Sequence, residues 1–155
     1  MINVLSIIKH MSRYSSAPYT TFAIDGVPLE VWLPSQNPAA ELDLVAAHAG
    51  LDNDEETLMV WDRIYSIAPE WKTLVPLLVC PDDLDLCCSV IVVEQLSNER
   101  HIQWCRFGLL NGLIEEERPA VDWFDAIPSL MFEWSNFQAT LDEFRRTESI
   151  KIGQD

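Results

Sequence analysis

Cys80, Cys87, Cys88 and Cys105, with His10, His48 and His101, are the side chains from which nucleophilic or metal chemistry would have to be built. His101 and Cys105 are the closest Cys/His pair in sequence. On a strand they share a side, yet four residues at about 3.3 Å each set them about 13 Å apart, too far for proton transfer. No catalytic cysteine is expected. Cys87 and Cys88 fall on a predicted strand and so point to opposite faces, and no Cys-x-x-Cys knuckle occurs, so no metal site is expected. All four read instead as small strand hydrophobes with reduced thiols.

Carboxylates offer more candidates. Asp52, Asp54 and Glu56 alternate like the start of a calcium loop, but Thr57 stands where the required glycine should be and the distal glutamate is missing. Asp82-Asp83-Leu84-Asp85 is incomplete in the same way. Both read as solvated turns. Glu30 and Glu94 lie on predicted strands and would make an acid/base pair only if the sheet joined them. Arg106 sits on an otherwise apolar face, where a structural acid partner is expected. Glycine-rich phosphate loops and serine-hydrolase elbows are absent, and no cofactor is expected.

The elements that must position these residues centre on the stretch from Thr73 to Leu109. Leu86 to Leu96 reads as a strand, Ser97-Asn98-Glu99-Arg100 as a tight reversal and His101 to Phe107 as the returning strand. A reversal centred on Asn98 and Glu99 sets Val93 against Trp104 and Ile91 against Arg106 on one face. Val92 then meets Cys105 and Val90 meets Phe107 on the other. Both faces are apolar, so the strand is expected to be internal and covered on each side. The turn end, with Glu94 against Gln103 and Gln95 against Ile102, is expected to be solvated.

Before this hairpin, Asp25-Gly26 predicts a reversal between strands over 20–24 and 27–33, with Pro28 at a sheet edge. Asn37-Pro38 and Gly50 bracket a predicted helix that keeps His48 on a flank away from its apolar face. Asp52 to Glu56 cap a second helix running to about Ala68, with Leu58, Trp61, Ile64, Tyr65 and Ala68 as its stripe. Leu130 to Trp134 reads as a last strand, and Ser135 to Gln138 matches a capping box for a final helix with Phe137, Leu141 and Phe144 inward. The fold class is α+β: an antiparallel sheet of about five to six strands against two to four helices.

The chain of 155 residues is 48% apolar, enough for one domain with its own core. Residues 1–17 read as a weakly ordered N-terminal extension and 18–155 as the domain. Lys9, His10 and Arg13 follow the first apolar run rather than precede it, so a cytoplasmic protein is expected. Twenty-five acids against ten bases give a net charge of −15, which repels nucleic-acid phosphate and anionic lipid. A basic protein is the favoured partner. Between Arg13 and Arg63 no Lys or Arg occurs, while nine acids do; the interval from Thr73 to Glu99 is also free of bases.

A compact acidic chain with the hairpin LCCSVIVVEQLSNERHIQWCRFG and the tail FEWSNFQATLDEFRR resembles the small immunity proteins encoded beside bacterial polymorphic toxins. The likeness is one of general build over most of the chain, and no functional residue carries over from it. It implies stoichiometric blocking of a toxin effector domain, often a basic nuclease, by a protein that is not an enzyme. From the residues themselves, the contact surface is expected at Asp52, Asp54, Glu55, Glu56, Asp82, Asp83 and Asp85, with Trp32 and Trp123 as aromatic anchors. The alternative is a small enzyme or ligand-binding domain with a pocket between sheet and helices. A deep pocket holding Arg106 would favour that alternative.

Overall fold

Asp25 and Gly26 both adopt positive φ, 50° and 86°, the backbone that a two-residue hairpin turn between right-twisted strands requires. They join β2 (Tyr19–Ile24) to β3 (Val27–Pro28) in the computed structural model, which describes residues 2–67 and 72–150. β1 (Leu5–His10) pairs antiparallel on the other side of β2. Leu5–His10, expected within a weakly ordered extension, thus form a paired strand. Leu5 is buried, and Asn136 and Thr140 both donate to its carbonyl oxygen at 3.0 Å. Asn3 adds two hydrogen bonds to Met131.

The strand expected to continue from Val27 to Leu33 stops at Pro28, and α1 (Leu29–Gln36) begins there. Proline has no N–H to offer the ladder, while Leu29, Trp32 and Leu33 recur at helical spacing and are all buried. The helix expected after Asn37 also does not form. Pro38–Ala40 makes one 3-10 turn, Glu41 turns left-handed at φ 50°, and β4 (Val45–Ala46) pairs with β5 instead. A second 3-10 turn, Ala47–Ala49, carries His48 into the core.

The larger sheet runs β4, β5 (Lys72–Val79), β6 (Val90–Ser97), β7 (His101–Asn111) and β8 (Ala120–Trp123), and β9 (Leu130–Glu133) pairs with the start of β7. β6 is internal, and Val90 to Val93 are wholly buried, as a strand apolar on both faces demands. α2 (Asp54–Ile64) packs on β5 and α3 (Trp134–Glu148) on β1 and β9. α2 forms where expected, with Asn53 as its cap, but ends at Ile64 with Tyr65 as its C-cap, short of the expected end near Ala68; Ala68 itself lies outside the described residues. α3 starts one residue before Ser135, at Trp134, without the expected capping box, and Phe137, Leu141 and Phe144 are buried as expected.

The central hairpin forms with a different register. Its turn is set by Asn98, whose side chain accepts from the N–H groups of Arg100 and His101, both at 2.8 Å. This moves the reversal one residue on, so Gln95 meets Trp104 and Glu94 meets Arg106, with Cys105 as a bulge between them. The extra residue lets Trp104 and Phe107 both point inward, where their rings meet at 6.1 Å. The turn end is not solvated either. Gln95, Ser97 and Ile102 are buried, and Gln95 accepts from Trp104 Nε1 while donating to the Ile64 carbonyl, each at 3.0 Å.

Gly108 lets β8 lie against β7. A Cβ there would sit 2.6 Å from Val121 Cγ1 and 2.7 Å from the Asp122 carbonyl oxygen. The second obstacle is backbone, so Gly108→Ala must displace β8, and we expect a loss of about 1–3 kcal/mol in urea unfolding. A change under about 0.5 kcal/mol would show that β8 yields freely.

Candidate functional site: an acidic edge beside a mixed-charge cleft

The two acid-rich segments that the sequence singles out are brought together. Asn53 caps α2 by accepting from Glu55 N–H and Glu56 N–H at 2.8 and 3.2 Å, and carboxylates in that first turn suit the positive end of the helix dipole. The β5–β6 connection docks against this end. Asp52 N–H donates to the Leu84 carbonyl at 3.0 Å, and Leu86 N–H donates to the Glu56 carboxylate at 3.3 Å. Asp85 in turn accepts from Cys87 N–H at 3.0 Å. Asp52, Asp54, Glu55, Asp82 and Asp83 remain exposed, with Glu56 and Asp85 half-buried.

Glu115, from the β7–β8 connection, joins the same edge. Partial burial raises the Glu56 carboxyl above its ordinary value; the Leu86 N–H opposes the rise, and the charges of Asp85 and Glu115 add to it. The sequence shows an acidic run at 115–117 but not that it returns to α2. That return depends on Arg63, which donates to the Leu74 carbonyl at 3.0 Å and to the Ile114 carbonyl at 3.3 Å.

The expected aromatic anchors are not part of this edge. Trp32 is 8% exposed and packs on Phe107 at 5.6 Å, inside the core. Trp123 is half-buried and its ring lies 3.9 Å below the Arg106 guanidinium. Glu30 and Glu94 are also separate. Glu30 is buried on α1 and accepts from Tyr19 Oη at 2.5 Å and Thr21 Oγ1 at 2.7 Å. Burial, then Glu30, raises the Tyr19 phenol far above its ordinary value. Glu94 instead accepts from Arg106 at 3.1 Å and lies 3.8 Å from Lys72. Arg106 is therefore exposed and paired across the sheet with an acid, rather than opposite Ile91.

These residues floor an open cleft of about 880 Å³ between α2, the larger sheet and the 114–119 segment. Arg63, Lys72, Arg106 and Arg118 line it beside Asp62, Glu94, Glu116 and Glu117. Neither a histidine nor a cysteine is among the lining residues.

The cysteines depart from expectation. Cys87 and Cys88 are exposed and precede β6 rather than lying within it, while Cys80 and Cys105 are half-buried. All four are free thiols. Among the described residues no helix is long and apolar enough to cross a membrane. No protein-family model, curated protein or solved structure matches the chain.

Proposed function

We propose that this is a non-enzymatic binding protein that neutralises a basic protein partner, as an immunity protein does a toxin effector domain. One observation supports the reading most: three separate segments deliver carboxylates to one edge, with the first two joined there by one backbone hydrogen bond and one from Leu86 N–H to the Glu56 carboxylate. Exposed acids so arranged attract and orient a cationic partner before contact, raising association rates by about 10- to 1,000-fold. Among the described residues Trp32 and Trp123 lie away from this edge, so the steering charge carries more of the recognition than the expected tryptophans would.

A second reading rests on the cleft, whose size suits a small ligand and whose wall includes Arg106. The guanidinium is already engaged by Glu94 and Trp123, and both acidic and basic side chains line the space. That arrangement serves the sheet as it stands. Within the acidic edge Arg63 faces Glu115, while no ion pair engages the exposed acids at 52–55 and 82–83 among the described residues, which is why the edge is the preferred site.

Affinity capture from the native host separates the two. Wild-type bait is expected to retain one basic partner near stoichiometry. Bait carrying Asp52→Asn, Asp54→Asn, Glu55→Gln, Asp82→Asn and Asp85→Asn is expected to lose it, while Arg106→Gln retains it. Equal capture by the wild type and the five-site variant, with loss in Arg106→Gln, would transfer the function to the cleft.

A further inference from the structure

We infer that Cys80, Asp83 and Cys88 form a binding site for a single thiophilic divalent cation of the zinc class. One ligand atom from each, two thiol sulfurs and one carboxylate oxygen, lies within 4.8 Å of the other two. In a tetrahedral zinc shell, bonds of about 2.3 Å to sulfur and 2.0–2.2 Å to oxygen put ligand atoms about 3.5–3.8 Å apart. The required contraction is at most about 1 Å, within reach of side-chain rotation alone on a surface loop.

The backbone brings these residues together without help from a metal. Cys80 N–H donates to the Ser89 carbonyl at 3.1 Å, extending the β5–β6 ladder one step and placing Cys88 beside that pair. Leu84 N–H donates to the Cys80 carbonyl at 3.0 Å, closing the turn that carries Asp83 back over the two sulfurs. Leu84 takes a left-handed φ of 49° to do so, a conformation rare for a branched side chain and held here by the Asp52 N–H on its carbonyl. Cys87, the immediate neighbour of Cys88, is not in the cluster.

The donor set decides which cation would bind. Two thiolates with one carboxylate suit zinc, cobalt(II) or cadmium and discriminate against magnesium and calcium, which take oxygen ligands. Binding would release the two thiol protons to solvent, leaving a site of net charge −1 with one coordination position for water. The pattern Cys-x-x-Asp-x-x-x-x-Cys contains no Cys-x-x-Cys knuckle, so only the folded loop reveals it. The site shares Asp83 and its loop with the acidic edge, and the five-site variant above leaves all three ligands in place, so the two proposals can fail separately.

Cobalt(II) titration of the reduced full-length protein tests the assignment. We expect one equivalent to give thiolate-to-cobalt charge-transfer absorption with the intense visible bands of a tetrahedral site, displaced by zinc. Cys80→Ser and Cys88→Ser should each abolish it. Outer-shell partners alone are worth about 10- to 100-fold in metal affinity, so Asp83→Asn should weaken binding at least that much. Cys87→Ser, Cys105→Ser and Asp82→Asn should bind as the wild type does. Absence of charge-transfer absorption, its survival in Cys80→Ser and Cys88→Ser, or its loss in Cys87→Ser would each overturn the site. Asp83 is exposed, so Asp83→Asn tests the site even if a cysteine variant folds poorly, and undiminished affinity in it would also overturn the assignment.

Discussion

Trp104→Ala is expected to destabilise the protein by about 3–5 kcal/mol in urea unfolding, with the transition remaining cooperative. The indole is wholly buried and meets Phe107, Phe132 and Phe137 edge-on at 6.1, 5.1 and 6.1 Å, so truncation leaves a cavity in the layer between the larger sheet and α3. It also removes the donor to Gln95 Oε1, deep in the core. Trp104→Phe separates the two losses. It keeps most of the packing but strands the Gln95 carbonyl oxygen, for an expected cost of about 1–3 kcal/mol. A cost under about 1 kcal/mol for the alanine variant would mean that this layer is not the core we describe.

Stability is expected to fall between pH 6.5 and 4 through His48. The imidazole is 1% exposed, flanked by the rings of Phe22 and Trp61 at 5.5 and 5.0 Å. Its Nε2 lies 3.0 Å from the Val60 carbonyl, so that nitrogen carries the proton in the neutral ring and Nδ1 is the bare one. Burial pushes its pKa down to about 4, against the upward pull of that carbonyl. The unfolded chain binds a proton near pH 6.5 while the folded one resists it, so stability present above pH 6.5 is lost as the pH falls. The loss is about 3 kcal/mol by pH 4, where the folded imidazole is itself half protonated, and it levels off below that. Because carboxylates titrate over part of this range, the measurement is the difference between wild type and His48→Leu. A wild-type curve that falls more steeply from 6.5 to 4 is expected, and parallel curves would contradict a buried neutral imidazole.

Much of the fold is legible because local signals and tertiary needs agree. Asp25-Gly26 fixes its own turn, and Asn53 with the acids behind it starts α2 as its chemistry requires. Phe137, Leu141 and Phe144 keep their stripe. The failures have physical causes. Asn98 turns the central hairpin with its side chain, and the Cys105 bulge then shifts the pairing again, neither of which the alternation of apolar residues encodes. Leu29 to Leu33 satisfies both a strand and a helix pattern, and Pro28 decides the outcome. The segment after Asn37 has helical end signals, but the sheet edge at β5 takes Val45 and Ala46.

The candidate site is legible in its parts but not in its assembly. Asp52 to Glu56 and Asp82 to Asp85 are identifiable as charge, whereas their meeting depends on two hydrogen bonds between segments about thirty residues apart. Trp32 and Trp123 fall away from the expected surface because a tryptophan looks alike in sequence whether it faces a partner, the core or an arginine. Cys80, Asp83 and Cys88 look unconnected while a strand is drawn through Cys87 and Cys88, and the observed loop removes that premise.

The most direct test of the central claim is the association rate of the captured basic partner, measured by stopped flow for wild type and the five-site variant across ionic strength. If the acidic edge steers binding, the wild-type rate falls about tenfold or more from low to physiological salt, where the screening length is about 8 Å. The variant should then be slow and nearly flat. Equal rates with equal salt dependence in the two proteins would contradict the account and place the partner elsewhere.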